Sequence, residues 1–220
     1  MKDDDYSQLS KVFHPVILFP SMPVVLDLTE TTLSQFSDEP YTIGRFNEER
    51  KNLYAMPLFN LSDQTLNAQP RSIHMGVDLG APSGTPIFSF DRGEVWSQGA
   101  LPREGDYGHS IVISYIWSLS TPLSCGQEMI QRGDRYWALY GHLSAESVSQ
   151  RGIGDSVKAG EQIAWLGNQR ENGGWPPHLH FQLSRVPPVG CDLPGVVSVD
   201  QHEQALNCFP DPRWVLGSIY

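Results

Sequence analysis

Apolar positions in this chain fall in short runs broken by Gly, Pro and Asp, and they alternate more often than they follow a helical period. Residues 86–90 (PIFSF) and 93–97 (GEVWS) read as two strands separated by an Asp91-Arg92-Gly93 turn. Residues 110–116 (SIVISYI) give the strongest strand pattern and 136–140 (YWALY) another, with the polar stretch 117–135 between them reading as an inserted loop. Ser144 is placed to cap a short helix reaching about Gln150. Residues 155–166 read as two short strands turning at Ala159-Gly160. Residues 178–183 (HLHFQL) alternate polar and apolar, which predicts a strand with one buried face. The pattern predicts an all-β fold with minor short helices, a partly open antiparallel barrel or sandwich.

Pro15, Pro20, Pro23 and Pro40 divide residues 1–70 into short extended pieces. Within them, residues 46–54 (FNEERKNLY) carry a charged run that predicts a turn or two of exposed helix with a solvated face. The Pro-rich tail, 187–220, reads as irregular apart from a short helix near 201–206. The expected organisation is therefore an N-terminal extension (1–70), a domain (71–186) and a C-terminal tail (187–220) packed on it. No internal repeat, heptad pattern or low-complexity tract is visible.

A length of 220 residues suits one sizeable domain with an extension, and 40% apolar with 18% charged residues is ordinary for a folded soluble protein. The 20 Gly and 17 Pro favour turns and short strands. A net charge of −10 argues against a nucleic-acid partner, because binding phosphates needs clustered Lys and Arg. It also argues mildly against anionic polymers and membranes. The odd count of cysteines (Cys125, Cys191, Cys208) suits free thiols in a reducing compartment, with Cys191 and Cys208 able to pair were the chain exported. The start, Met1-Lys2-Asp3-Asp4-Asp5, is acidic where a signal peptide needs positive charge. The apolar stretch 16–26 is interrupted by Pro20 and Pro23 and is too short to span a bilayer. A cytoplasmic location without a membrane partner is the expectation.

The chemistry lies in a divided set of histidines: His74-Met75-Gly76-Val77-Asp78 early, His178-Leu179-His180 late, and Tyr140-Gly141-His142-Leu143 between. Catalytic zinc usually takes three ligands from His, Asp and Glu and leaves a position for water. Gly76 and the following Leu-Gly-Ala-Pro disfavour a helix, so a bend entering a strand must bring His74 and Asp78 together. In a strand, residues i and i+2 share a face about 6.5–7 Å apart, so His178 and His180 point the same way. Spacing leaves open which of these two holds a metal and which handles protons.

Residues 74–86 (HMGVDLGAPSGTP), 139–144 (LYGHLS), 157–167 (VKAGEQIAWLG) and 177–181 (PHLHF) together resemble, in order, the motifs of the lysostaphin-type zinc metallopeptidases of family M23. The resemblance covers about residues 70–185. It implies a lysostaphin-type fold and one Zn2+ ion, with His74, Asp78 and His180 as metal ligands and His142 and His178 as catalytic residues. It further implies a zinc metalloendopeptidase acting on a peptide or peptidoglycan-derived substrate, with peptidoglycan cross-links or glycine-containing peptides as the default. There is no H-E-x-x-H helix to supply a glutamate base, and imidazole can take that place; either His142 or His178 serves as general base while the other stabilises the oxyanion.

Two departures stand out. Where secreted members of the family have Thr-Gly-Pro before the histidine pair and Glu after its Phe, this chain has Gly174-Trp175-Pro176-Pro177 and Gln182. Those positions border the family's substrate groove, so Trp175 is expected to reshape specificity. The sequence PPHLHFQL and the tail 207–217 are more similar to the M23-type domains of cytoplasmic phosphotransferase–aminotransferase fusions, which favours a cytoplasmic peptide or amide substrate. A non-catalytic or regulatory module with the same fold is the alternative, as is self-inhibition by residues 1–70 with Asn47 near the metal. His109 is expected to be a structural residue near the site, and His14 and His202 surface residues.

Overall fold

The computed structural model describes residues 12–32, 39–54, 56–60 and 69–220; the acidic start of the chain lies outside them. Fifteen short strands carry the fold: β1 Val24–Val25, β2 Thr42–Gly44, β3 Glu48–Glu49, β4 Arg71–His74, β5 Val77–Gly80, β6 Pro86–Phe88, β7 Gly93–Leu101, β8 Gly108–Ile116, β9 Leu123–Cys125, β10 Glu128–Ile130, β11 Arg135–Gly141, β12 Ser156–Val157, β13 Gln162–Trp165, β14 His178–Ser184 and β15 Val196–Ser198. The main sheet runs β1-β2-β5-β14-β11-β8-β7-β12 and is antiparallel except for the β1–β2 pair. A three-stranded sheet, β15-β4-β3, and the pairs β13-β6 and β10-β9 complete the set. The fold is all-β and open: among the described residues no sheet closes into a barrel.

Period-two alternation builds a core on each face of the main sheet. Ile111, Ile113 and Tyr115 of β8 join Ala138 and Tyr140 of β11 and Leu179, Phe181 and Leu183 of β14 in one cluster. Val112, Trp137 and Leu139 face the other way and meet Ile73, Met75, Leu193 and Val197. The alternation of β14 therefore sends Leu179 into the first core and His178, His180 and Gln182 to the second face.

Several expectations change in detail. The stretch 117–135 is not a plain polar loop: it holds the β9–β10 hairpin, with Trp117, Leu123 and Ile130 buried. Three-residue strands are too short for alternation to register, and Gly126 turns between them at φ 59°. The strands of 155–166 do not pair with each other; β12 pairs with β7 and β13 with β6. Ser144 Oγ accepts the Ser147 amide at 3.3 Å, at the head of a single 3-10 turn, Ser147–Ser149. The tail carries helices His202–Cys208 and Arg213–Leu216, and Trp214 and Val215 enter the first core. The charged run 46–54 is not a solvated helical face. Glu48 and Arg50 are 7% and 1% exposed, Leu53 is buried, and β3 pairs with β4. Charge misleads there for two residues: Glu48 and Arg50 pair with each other inside, and Arg50 with Asp78, while Glu49 and Lys51 remain exposed.

Candidate active site

One rung of the main sheet assembles the site. Gly44 of β2 lies opposite Asp78 of β5, Asp78 opposite His180 of β14, and His180 opposite Gly141 of β11. Cross-strand partners on one face have Cβ atoms about 4.5–5.5 Å apart, so Asp78 and His180 meet without a loop to join them. The two glycines leave room: a Cβ on Gly44 would stand 2.7 Å from the Arg50 guanidinium, and one on Gly141 would stand 2.6 Å from the Tyr107 ring. His74 arrives from β4, and the chain bends through Met75-Gly76 into β5.

Three donor atoms converge. Asp78 Oδ1 lies 3.1 Å from His74 Nε2 and 3.2 Å from His180 Nδ1, and those nitrogens are 3.0 Å apart. A tetrahedral zinc site with bonds of about 2.0–2.1 Å has ligand–ligand edges of about 3.3 Å. His74 Nδ1 donates to the Arg45 carbonyl at 2.9 Å, and His180 Nε2 donates to Gln182 Oε1 at 3.0 Å. Each ring then turns a lone pair toward Asp78 and toward the other ring. Two lone pairs and a carboxylate oxygen facing one another in a buried pocket repel unless a cation lies between them. His74, Asp78 and His180 thus form a group able to hold a metal ion.

The charge states agree with this. Burial, followed by the charge of Arg50, lowers His74 to a pKa of about 4, so the ring is neutral at pH 7. Burial opposes ionisation of Asp78, but His74, Arg50 and His178 around it outweigh that and hold its carboxyl well below the usual range. Arg50 is the main structural partner: its Nη1 donates to Asp78 Oδ2 at 2.7 Å and to the Tyr54 hydroxyl at 3.0 Å, and its Nε donates to Glu48 Oε2 at 2.9 Å.

His142 and His178 stand beside the triad with ring centroids 4.3 Å apart. His142 Nδ1 donates to the Asn172 carbonyl and His178 Nδ1 to the Pro176 carbonyl, both at 2.7 Å. In the neutral rings both Nε2 atoms are therefore free to accept a proton. Burial, then the neighbouring His178 and His180, push His142 well below the usual imidazole value, and burial also lowers His178. His142 holds φ 62°, a left-handed conformation costly for a side chain with a Cβ. Main-chain bonds fix it there, from the His142 amide to Tyr107 O and from the Gly167 amide to His142 O.

All five predicted residues border one cavity of about 610 Å³. Its apolar walls include Leu28, Leu53, Tyr54 and Phe59 from the upstream segment, Leu193 and Val196 from the downstream one, and Trp175. Trp175 meets Tyr54 and Phe59 edge-on at 6.1 and 6.2 Å. Gln182 is fully buried and orients His180 from behind, so it does not border a groove. His109 Nδ1 donates to Glu171 O, which steadies the loop whose Asn172 holds His142. Asn47 gives its backbone amide to the His74 carbonyl at 2.8 Å, while its side-chain Oδ1 is paired with His202 Nε2 at 2.5 Å. Arg50, Glu48, Tyr54, the Arg45 carbonyl and Asn172 were not anticipated. The apolar pair Leu53-Tyr54 flanking the charged run was the one signal that it turns inward.

Residues 72–189, more than half of the chain, match Peptidase family M23. The chain is 31% identical over 126 residues to the DD-carboxypeptidase/endopeptidase Mpg of Neisseria meningitidis, a match covering 56% of this chain and 23% of that protein. It is 30% identical over 136 residues to the peptidoglycan DD-endopeptidase ShyA of Vibrio cholerae (60% and 26%) and 33% identical over 110 residues to lysostaphin of Staphylococcus staphylolyticus (50% and 18%). The chain thus spans roughly a quarter of the curated relatives it matches. Among solved structures, a zinc-containing peptidase from Vibrio cholerae aligns with 25% identity and a TM-score of 0.40, covering 66% of this chain and 34% of that one. The family match and the convergence of its motif residues in one cavity lead to the same conclusion: the chain belongs to peptidase family M23.

Proposed function

We propose that this chain is a zinc-dependent endopeptidase in which His74, Asp78 and His180 hold one Zn2+ ion and His142 and His178 do the proton chemistry. The observation that carries this is the triangle of His74 Nε2, Asp78 Oδ1 and His180 Nδ1, with edges of 3.0–3.2 Å, beside two imidazoles that keep Nε2 free. Zinc in such a set supplies Lewis acidity, polarising a carbonyl and lowering the pKa of water from 15.7 to about 7. The chain's own part is orientation and proton transfer. The carbonyls of Asn172 and Pro176 hold the His142 and His178 rings in the tautomer whose Nε2 takes a proton. One of the two would act as general base, taking the water proton on Nε2 and giving it to the departing amine; the other, taking a proton on Nε2 from solvent as negative charge develops, would donate to the oxyanion. The largely apolar cavity walls lower the local dielectric and strengthen both interactions.

Peptidoglycan cross-links or glycine-containing peptides are the first substrate class to test, since relatives such as ShyA carry peptidoglycan endopeptidase names. The aliphatic and aromatic lining favours a second choice, a peptide carrying a bulky apolar residue beside the scissile bond. Digestion of purified peptidoglycan and of a peptide library, with and without chelator, tests the proposal. Chelator-sensitive cleavage is expected; zinc-loaded protein that cleaves neither would contradict it.

A further inference from the structure

Arg50 lies upstream of the stretch that matches the family, yet it is 1% exposed and touches a residue of the triad. Burying a guanidinium costs several kcal/mol unless it is paired with charge and hydrogen-bonded. Here Nη1 reaches Asp78 Oδ2 and the Tyr54 hydroxyl, Nε reaches Glu48 Oε2, and Nη2 reaches the Arg45 carbonyl at 3.3 Å. Arg45 O is shared, since it also accepts His74 Nδ1. One short segment, residues 44–54, therefore braces two of the three proposed ligands from behind.

The two oxygens of Asp78 are divided between these tasks. Oδ2 is taken by Arg50 at 2.7 Å, while Oδ1 faces His74, His180 and, at 3.7 Å, His178. A carboxylate free to swing would offer either oxygen, or both, to a cation; fastening Oδ2 leaves Oδ1 in one place. Glu48 matters to the balance. Glu48 takes Arg50 Nε on one oxygen and Arg45 Nη1 on the other, so it offsets part of the positive charge that Arg50 brings beside Asp78 and fixes the direction in which the guanidinium points. Gly44 is part of the same arrangement, because any Cβ there would stand 2.7 Å from Arg50 Nη2.

We propose that Arg50 is a positioning residue of the metal centre: it holds Asp78 in single-oxygen register for the ion, so the functional unit begins upstream of residue 72. The inference rests on reading the triad as a zinc site. The test uses the full chain, with zinc affinity measured by competition against a chromophoric chelator and the visible spectrum of the Co2+-loaded protein as the signature of coordination. Arg50→Lys keeps the charge but not the planar fork, and roughly a 10-fold loss of affinity is expected. Glu48→Gln/Arg50→Met removes both buried charges and should lose roughly 100-fold, with a changed Co2+ spectrum. Folded variants with wild-type affinity and spectrum would overturn the proposal. Loss of the fold in both would also overturn it, assigning Arg50 to stability alone. Wild-type protein that binds no zinc would instead overturn the proposed function, a result distinguishable from either.

Discussion

Gly76→Ala is a one-carbon perturbation whose effect can be worked from coordinates. A Cβ on Gly76 would lie 2.5 Å from His180 Cε1, 2.6 Å from His180 Nε2 and 3.0 Å from the Phe181 carbonyl oxygen. Ordinary contact begins at 3.4 Å, so the imidazole must retreat by about 0.9 Å. It has little freedom to do so. Nε2 is fastened to Gln182 Oε1, Tyr107 OH stands 3.4 Å away, and the Phe181 backbone belongs to the β14–β5 ladder. Metal–ligand distances tolerate about 0.2 Å, so a 0.9 Å shift removes His180 Nδ1 from useful range. The overpacking itself costs about 1–3 kcal/mol, or roughly 2–12 °C in Tm for a chain of this size. Gly76 has no positive φ, so the effect comes from contact and not from backbone strain. Thermal unfolding with and without zinc, combined with a zinc competition titration, reads both parts. The expected result is a lower apo Tm and a loss of zinc affinity of roughly 100-fold or more. Wild-type affinity together with an unchanged Tm would refute the close packing of Gly76 against His180.

His142→Ala and His178→Ala should each keep the metal while losing roughly 10²–10⁴-fold in turnover, read by metal analysis and peptide hydrolysis on the same samples; a fully active variant removes that residue from the mechanism. Trp175→Ala empties the contact with Tyr54 and Phe59 and should destabilise by about 3–5 kcal/mol in denaturant unfolding; a change under about 1 kcal/mol would mean the upstream segment is not docked there. Burial pushes the Cys125 thiol up to about 12, so at pH 8 only about one in 10⁴ is thiolate. Iodoacetamide with mass spectrometry should label Cys191 and Cys208 of the native protein well before Cys125, and equal rates would contradict the buried placement.

The residue types and their order made much of the site legible. The alternation of 178–183 predicts that His178 and His180 share a face while Leu179 points into the core, and β14 does this. The Gly-rich bend after His74 predicts its approach to Asp78, and the turn from β4 into β5 delivers it. What escaped was whatever depends on pairing between distant segments. Glu48 and Arg50 look like solvent-facing charges until β3 pairs with β4 and buries them against Asp78. The β9–β10 hairpin is set by long-range contact: Gln127 N bonds Asn207 Oδ1, and the Cys125 thiol bonds Leu206 O. Asn172 gives no local sign that its carbonyl orients His142 from 30 positions away.

If His74, Asp78 and His180 bind zinc, peptide hydrolysis by this chain depends on that ion. Metal analysis of the full chain, followed by digestion of peptidoglycan and a peptide library before and after chelation, addresses it directly. One zinc per chain is expected, with cleavage abolished by chelator and restored by zinc, and neither metal nor cleavage in His180→Ala. A folded protein that takes up no zinc, or cleavage that chelator leaves untouched, would contradict it.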